Sequence, residues 1–286
     1  MALASALWQR VSPVAAVALL TMFATVGALL PVADHYLLLQ ETARLEFCLG
    51  AVDEFCQNAL GQLETTTAAT RYAFSFSGGW LSGSIAGASW LALGLVSAFA
   101  ALYARSFGEL GHFSLMCAYR GANRTVAGIV ASSVLLGAAV VTALSIGAGA
   151  AGAVVGAVGG LGEPVGAEAF GYYGRALLLS AVAATLGALL GLVVTQRGFA
   201  FLLAFAYLGS PVIIRTLPLL TRYTPGGLAS DFFGWRPGDG ALNINSFGTM
   251  TPSSYSPDAA LALLLAITGA LGGYLWWRSI RRMSFQ

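Results

Sequence analysis

TVAGIVASSVLLGAAVVTALSIGAGAAGAVVGAVGGLG, Thr125–Gly162, runs between Arg124 and Glu163 without one charged side chain. A helix needs about 20 apolar residues to cross about 30 Å of hydrocarbon, and this stretch exceeds that length. Its more hydrophobic half, Val126–Gly147, reads as one crossing followed by a Gly/Ala-rich exit. Working outward, five more stretches meet the same test: Pro13–Leu30, Leu81–Tyr103, Ala176–Thr195, Gly198–Ile214 and Ala259–Trp277. The composition agrees: of 286 residues, 57% are hydrophobic and 9% charged, with a mean hydropathy of +0.77. Soluble chains carry roughly 25% charged residues, so this one lacks the polar groups to cover a surface in water. The expected fold class is all-α, a polytopic membrane protein of six transmembrane helices. A soluble enzyme, a nucleic-acid binder and a disordered scaffold are excluded on the same ground.

Charge placement sets the direction. All 14 basic residues are Arg, and Lys is absent. Arg is retained on the cytoplasmic side of short loops. With the N-terminus inside, the inner segments hold Arg10, Arg105, Arg120, Arg124, Arg197, Arg278, Arg281 and Arg282 against the single acid Glu109. The outer segments hold the other six arginines and all the remaining acids. The expected topology is therefore N-in, C-in, in the cell (plasma or inner) membrane. The first apolar run is longer than the hydrophobic core of a signal peptide and reads as an uncleaved anchor.

Two outer segments are long. Residues 32–79 carry apolar side chains at helical spacing between acids (Leu38, Leu45, Leu49, Val52) and predict amphipathic helices. Cys48 and Cys56 fall there, on the oxidising side, either as a disulfide or as two free thiols. Residues 215–258 are rich in Pro, Gly, Ser and Asn, and predict a re-entrant-like segment whose backbone is satisfied by surrounding protein. Cys117 falls on the inner side and is expected to be reduced. Gly and Ala are dense in the third and fourth spans, as in Gly147–Gly160 and Gly187–Gly191, and such small residues let membrane helices pack closely without marking a site.

The six apolar cores contain no ionisable residue, whereas buried charges in a membrane usually mark catalysis or proton transfer. Ser89 has no His in another span to activate it. A phosphate-binding P-loop ends its glycine-rich turn with Lys. This chain has none, so it holds no such ATP site of its own. Neither a metal set nor a resident cofactor is expected.

One inner connection is longer than a turn. Residues 105–124 begin with Arg105 and Glu109, continue through the apolar run Leu110–Tyr119, and end on Arg120-Gly121-Ala122-Asn123-Arg124. The pattern predicts a short helix over Glu109–Tyr119, with Glu109 favouring its N-terminal end, Arg120 its C-terminal end, and Gly121 stopping it. Arg120 and Arg124 fit snorkelling to anionic lipid equally well.

The arrangement resembles the permease subunits of ATP-binding cassette (ABC) transporters of the exporter type. The likeness rests on Arg105, Glu109, Gly121 and Arg124 around the inner helix. It extends to the Pro-bearing outer segment before the last span, the short turn Gln196-Arg197-Gly198 and the Arg-rich tail. The resemblance implies that the 105–124 segment is a coupling helix. Phe113, Leu115, Met116 and Tyr119 would be the anchors seated in an ATPase, and Glu109, Arg120 and Arg124 the rim contacts. It further implies a pair of ATPase subunits that bind ATP and Mg, a second permease (identical or homologous), and contact with membrane lipid but not nucleic acid. The uncharged spans point to an amphipathic or hydrophobic cargo. The alternative is an accessory, immunity or sensor membrane protein without transport of its own.

Overall fold

The computed structural model describes residues 17–29, 32, 85–109, 112–159, 168–214, 224–233 and 255–283. Eight helices are followed below: α1 Val17–Leu29, α2 Ile85–Glu109, α3 His112–Arg120, α4 Ala122–Gly159, α5 Glu168–Val193, α6 Arg197–Ile214, α7 Pro225–Phe233 and α8 Pro257–Met283. No strand occurs among the described residues. This is the expected result where side chains are too apolar to leave backbone groups to water, because a helix satisfies its own.

Among the described residues, three stretches are long and apolar enough to cross a bilayer: Ala122–Val154, Tyr173–Val193 and Pro257–Arg281, with mean hydropathies of 2.3, 2.3 and 1.8. Val17–Leu29, Leu93–Phe107 and Arg197–Gly209 are shorter apolar helices. The protein is thus a helical protein with membrane-spanning character. Thr125–Gly159 of the uncharged stretch lies in a single helix, α4, of 38 residues, which carries the Gly/Ala-rich exit on from the crossing without a break. At 1.5 Å per residue it is about 57 Å long. No Pro interrupts it before Pro164, and its single glycines are not enough to break it.

α5 is the hub. Its apolar window is 67% buried, against 39% for α4 and 22% for α8. It packs most extensively on α2, and α2 packs almost as extensively on α6. One continuous core joins Val96 of α2, Val140 and Leu144 of α4, Leu179 of α5, Leu208 of α6 and Leu264 of α8. The short α7 adds Leu228 and Phe232 to it, and packs on α8, α6 and α5.

Glycine decides how close two of these helices come. A Cβ on Gly187 would collide with the backbone carbonyl of Ser97, and one on Gly191 with that of Ala101. The pairs advance together along both chains, so α2 and α5 run in the same direction, backbone against backbone. α1 meets α4 in the same intimate way, through Gly27 on Leu144 and Gly147 on Ala24. In lipid no hydrophobic force drives helices together, so close dispersion contact at small residues carries the association.

Hydrogen bonds add further ties between helices. Thr142 of α4 bonds the Tyr173 hydroxyl of α5 at 2.7 Å. Tyr207 of α6 bonds Thr268 of α8 at 2.9 Å. Most other hydroxyls in the bundle turn back to their own helix, as Ser133 does to the Ile129 carbonyl and Ser145 to that of Val141. Caps define the starts of α7 and α8. Thr224 Oγ1 accepts the Gly227 N–H ahead of Pro225, and Ser256 Oγ accepts the Ala259 N–H ahead of Pro257. Proline suits the first helical position because that N–H has no partner within the helix.

Candidate functional site

The connection between α2 and α4 folds as a nine-residue helix, α3, and Gly121 creates its end. Gly121 has a φ of 79°, a left-handed conformation that costs L-residues with a Cβ about 1–2 kcal/mol. Its N–H donates to the Cys117 carbonyl at 2.9 Å, and its own carbonyl accepts the Thr125 N–H at 3.2 Å. The Thr125 hydroxyl donates to that same carbonyl at 3.1 Å. One glycine therefore terminates α3 and its carbonyl starts α4, and nothing crowds it.

The α3 helix has distinct faces. Met116 and Cys117 are half-buried, and α3 packs on α4 and α2. Cys117 is hydrogen-bonded side chain to side chain with Thr125; burial pushes its thiol above the usual value, and the Thr125 contact pulls the other way. Leu115 and Tyr119, one turn apart, are 61% and 83% exposed. Residues four apart lie over one another on a helix, so the two form an outward apolar face. Arg120 sits in the last turn, where the helix dipole favours a cation. Exposed Arg124 lies in the first turn of α4, where the dipole disfavours one.

The structure places the remaining sequence-predicted residues as follows. Glu109 is the last residue of α2, and α3 starts at His112. The acid therefore does not sit in the first turn of α3. Its turn continues α2, where Tyr103 meets Phe107 edge-on at 5.2 Å. The side chains of Glu109 and Phe113 lie outside the described set, as do Cys48, Cys56 and residues 33–79. Of residues 215–258, the described parts are 224–233 and 255–258.

The end of the bundle that carries α3 is basic. Trp276 Nε1 of α8 donates to Asn123 Oδ1 at the start of α4 at 3.3 Å, which brings Arg278 and Arg281 toward Arg120 and Arg124. The common direction of α2 and α5 puts Arg105 and Arg197 at that end as well. Aromatic side chains brace the tail: Arg278 donates to the Tyr274 hydroxyl at 3.1 Å, and the Arg281 guanidinium lies 4.2 Å from the Trp277 ring centre. At the opposite end Arg175 faces the Phe232 ring at 5.7 Å. The Trp276–Asn123 bond was not legible from spacing; an Asn beside the inner Arg pair and a Trp-Trp dipeptide were its only sequence signals. Among the described residues no group of His, Cys, Asp and Glu could hold a metal ion.

No family model matches this chain, and neither a curated protein nor a solved structure matches it.

Proposed function

We propose that this chain is the permease subunit of an ATP-driven transporter of the ABC exporter type. It crosses the membrane six times with both termini and residues 105–124 in the cytoplasm. It forms an export path with a second permease, identical or homologous, for an amphipathic or hydrophobic cargo. ATP and Mg are bound by a separate pair of ATPase subunits. The observation that carries the reading is α3. It is a short helix between two long ones, ended by the left-handed Gly121, presenting Leu115 and Tyr119 outward on the Arg-rich end of the bundle.

A partner that closes on ATP must push on something rigidly joined to the spans. α3 is joined in this way, by the Gly121 backbone bonds and the Cys117–Thr125 contact to α4. An apolar pair rimmed by charge is the anatomy of a protein interface, with Leu115 and Tyr119 as the anchors and Arg120 and Arg124 at the rim. Aromatic anchors of this kind carry about 2 kcal/mol or more of an interface. The test is affinity purification of the full chain from its native membrane, with identification of a co-purifying P-loop ATPase and measurement of its vanadate-sensitive turnover. Both are expected for the native chain, and both are lost in Leu115→Asp and Tyr119→Asp. Retention of the ATPase and its turnover in both variants would refute the coupling role.

A further inference from the structure

A cleft of about 340 Å³ opens between α1, α2 and α4. Its walls include Leu19 and Phe23 of α1, Phe99 and Tyr103 of α2, and Leu136 of α4. Two serine hydroxyls that border it are turned away from any occupant. Ser133 donates to the Ile129 carbonyl at 3.0 Å, and Ser106 to the Tyr103 carbonyl at 2.7 Å. A water molecule in such a place would lack the two to four partners it needs. A second helix, about 10–12 Å across with its side chains, is too thick to enter. A cavity of about 150 Å³ takes one benzene ring, so this one has room for roughly a dozen carbons in line.

The cleft follows α2 from Val96 to Ser106, about 15 Å at 1.5 Å per residue. It therefore runs toward Arg105, at the end of the bundle that also carries Arg120, Arg124, Arg278 and Arg281. Basic groups between helices at a membrane surface recognise anionic headgroups. We propose that this cleft is a lipid site that holds one acyl chain of an anionic phospholipid, with the phosphate held at the Arg105 end. The site is separate from the α3 docking face: it is built on other residues and faces hydrocarbon rather than a protein partner. Leu263 and Ile267, one turn apart on an exposed face of α8, do not line the cleft and supply an internal comparison.

The test uses the full chain in phosphatidylcholine vesicles doped with phosphatidylglycerol carrying a diazirine on one acyl chain. After irradiation, labelled peptides are mapped. Labelling is expected to concentrate on Phe99, Tyr103 and Leu136 over the α8 face. The same diazirine on phosphatidylcholine is expected to label the cleft about fivefold less, the preference one arginine confers near a membrane surface. Ser133→Leu fills the cleft and is expected to remove its labelling while leaving α8 labelling unchanged. Leu136→Phe serves the same purpose if Ser133→Leu loses the native size-exclusion profile. Equal labelling of cleft and α8, or labelling that survives the filled cleft, overturns the site. Equal labelling by the two lipids overturns its anionic headgroup. None of these readings depends on an ATPase, so they fail or succeed apart from the coupling proposal.

Discussion

Replacing Gly187 with Ala adds one methyl group where α5 lies against α2. The atom that this methyl meets is the backbone carbonyl of Ser97, which cannot rotate aside as a flexible side chain would. The helices must separate, and every dispersion contact along the crossing weakens with them. Overpacking of this kind costs about 1–3 kcal/mol. Ala gains about 1 kcal/mol over Gly in helix propensity, so the net loss for Gly187→Ala, or for Gly191→Ala against Ala101, is about 0–2 kcal/mol. Gly273 of α8 is exposed and has nothing near its absent Cβ. Gly273→Ala therefore keeps the propensity gain and pays no packing penalty. At about 2–4 °C per kcal/mol for a chain of this size, the two classes of variant should melt several degrees apart. The assay is thermal unfolding of the detergent-solubilised protein followed by fluorescence-detected size exclusion. If Gly187→Ala melts at or above Gly273→Ala, the close α2–α5 crossing is refuted.

Three further outcomes follow from the same geometry. A double-mutant cycle with Tyr207→Phe and Thr268→Val should give a coupling of about 0.6 kcal/mol, and up to about 1.7, the range for hydrogen bonds between membrane helices; additive effects would remove the α6–α8 bond. Gly121→Val should lose about 1–2 kcal/mol through the left-handed backbone, with Gly121→Asn recovering much of it; equal melting of Val and Asn variants would refute that strain. Burial raises the Cys117 thiol, so its reactive thiolate should appear only above the pH at which an ordinary thiol ionises, and Thr125→Val should move it higher still; alkylation rates against pH, with Cys48→Ser and Cys56→Ser, would contradict this by showing a midpoint at or below the ordinary value.

Much of the architecture was legible because lipid imposes a simple rule. An uncharged run such as Gly198–Ile214 has few alternatives to a helix, and α6 covers Arg197–Ile214. Ends were harder. The placement of Glu109 at the start of the inner helix followed a local charge–dipole argument, whereas the chain keeps Glu109 on α2, behind the Tyr103–Phe107 contact. Spacing identified the residues of α3 but not which face turns to the bundle. Leu115 and Tyr119 point out while Met116 is half-buried, a choice made by the approach of α4 and set by Gly121. α7 was missed inside a Pro- and Gly-rich stretch, although Thr224-Pro225 is the capping pair that begins it. The acyl-chain cleft depends on three helices far apart in sequence, and no linear pattern encodes the space between them.

The account depends most directly on where α3 stands relative to the membrane. Tyr119, at 83% exposure, is the best reporter. With Cys48, Cys56 and Cys117 replaced by Ser, Tyr119→Cys is treated with a membrane-impermeant maleimide in intact cells and again after permeabilisation. The account predicts no labelling in intact cells and full labelling once the membrane is opened and the docked ATPase is released. Labelling of Tyr119→Cys in intact cells would put the Arg-rich end outside and contradict the topology and the coupling role together.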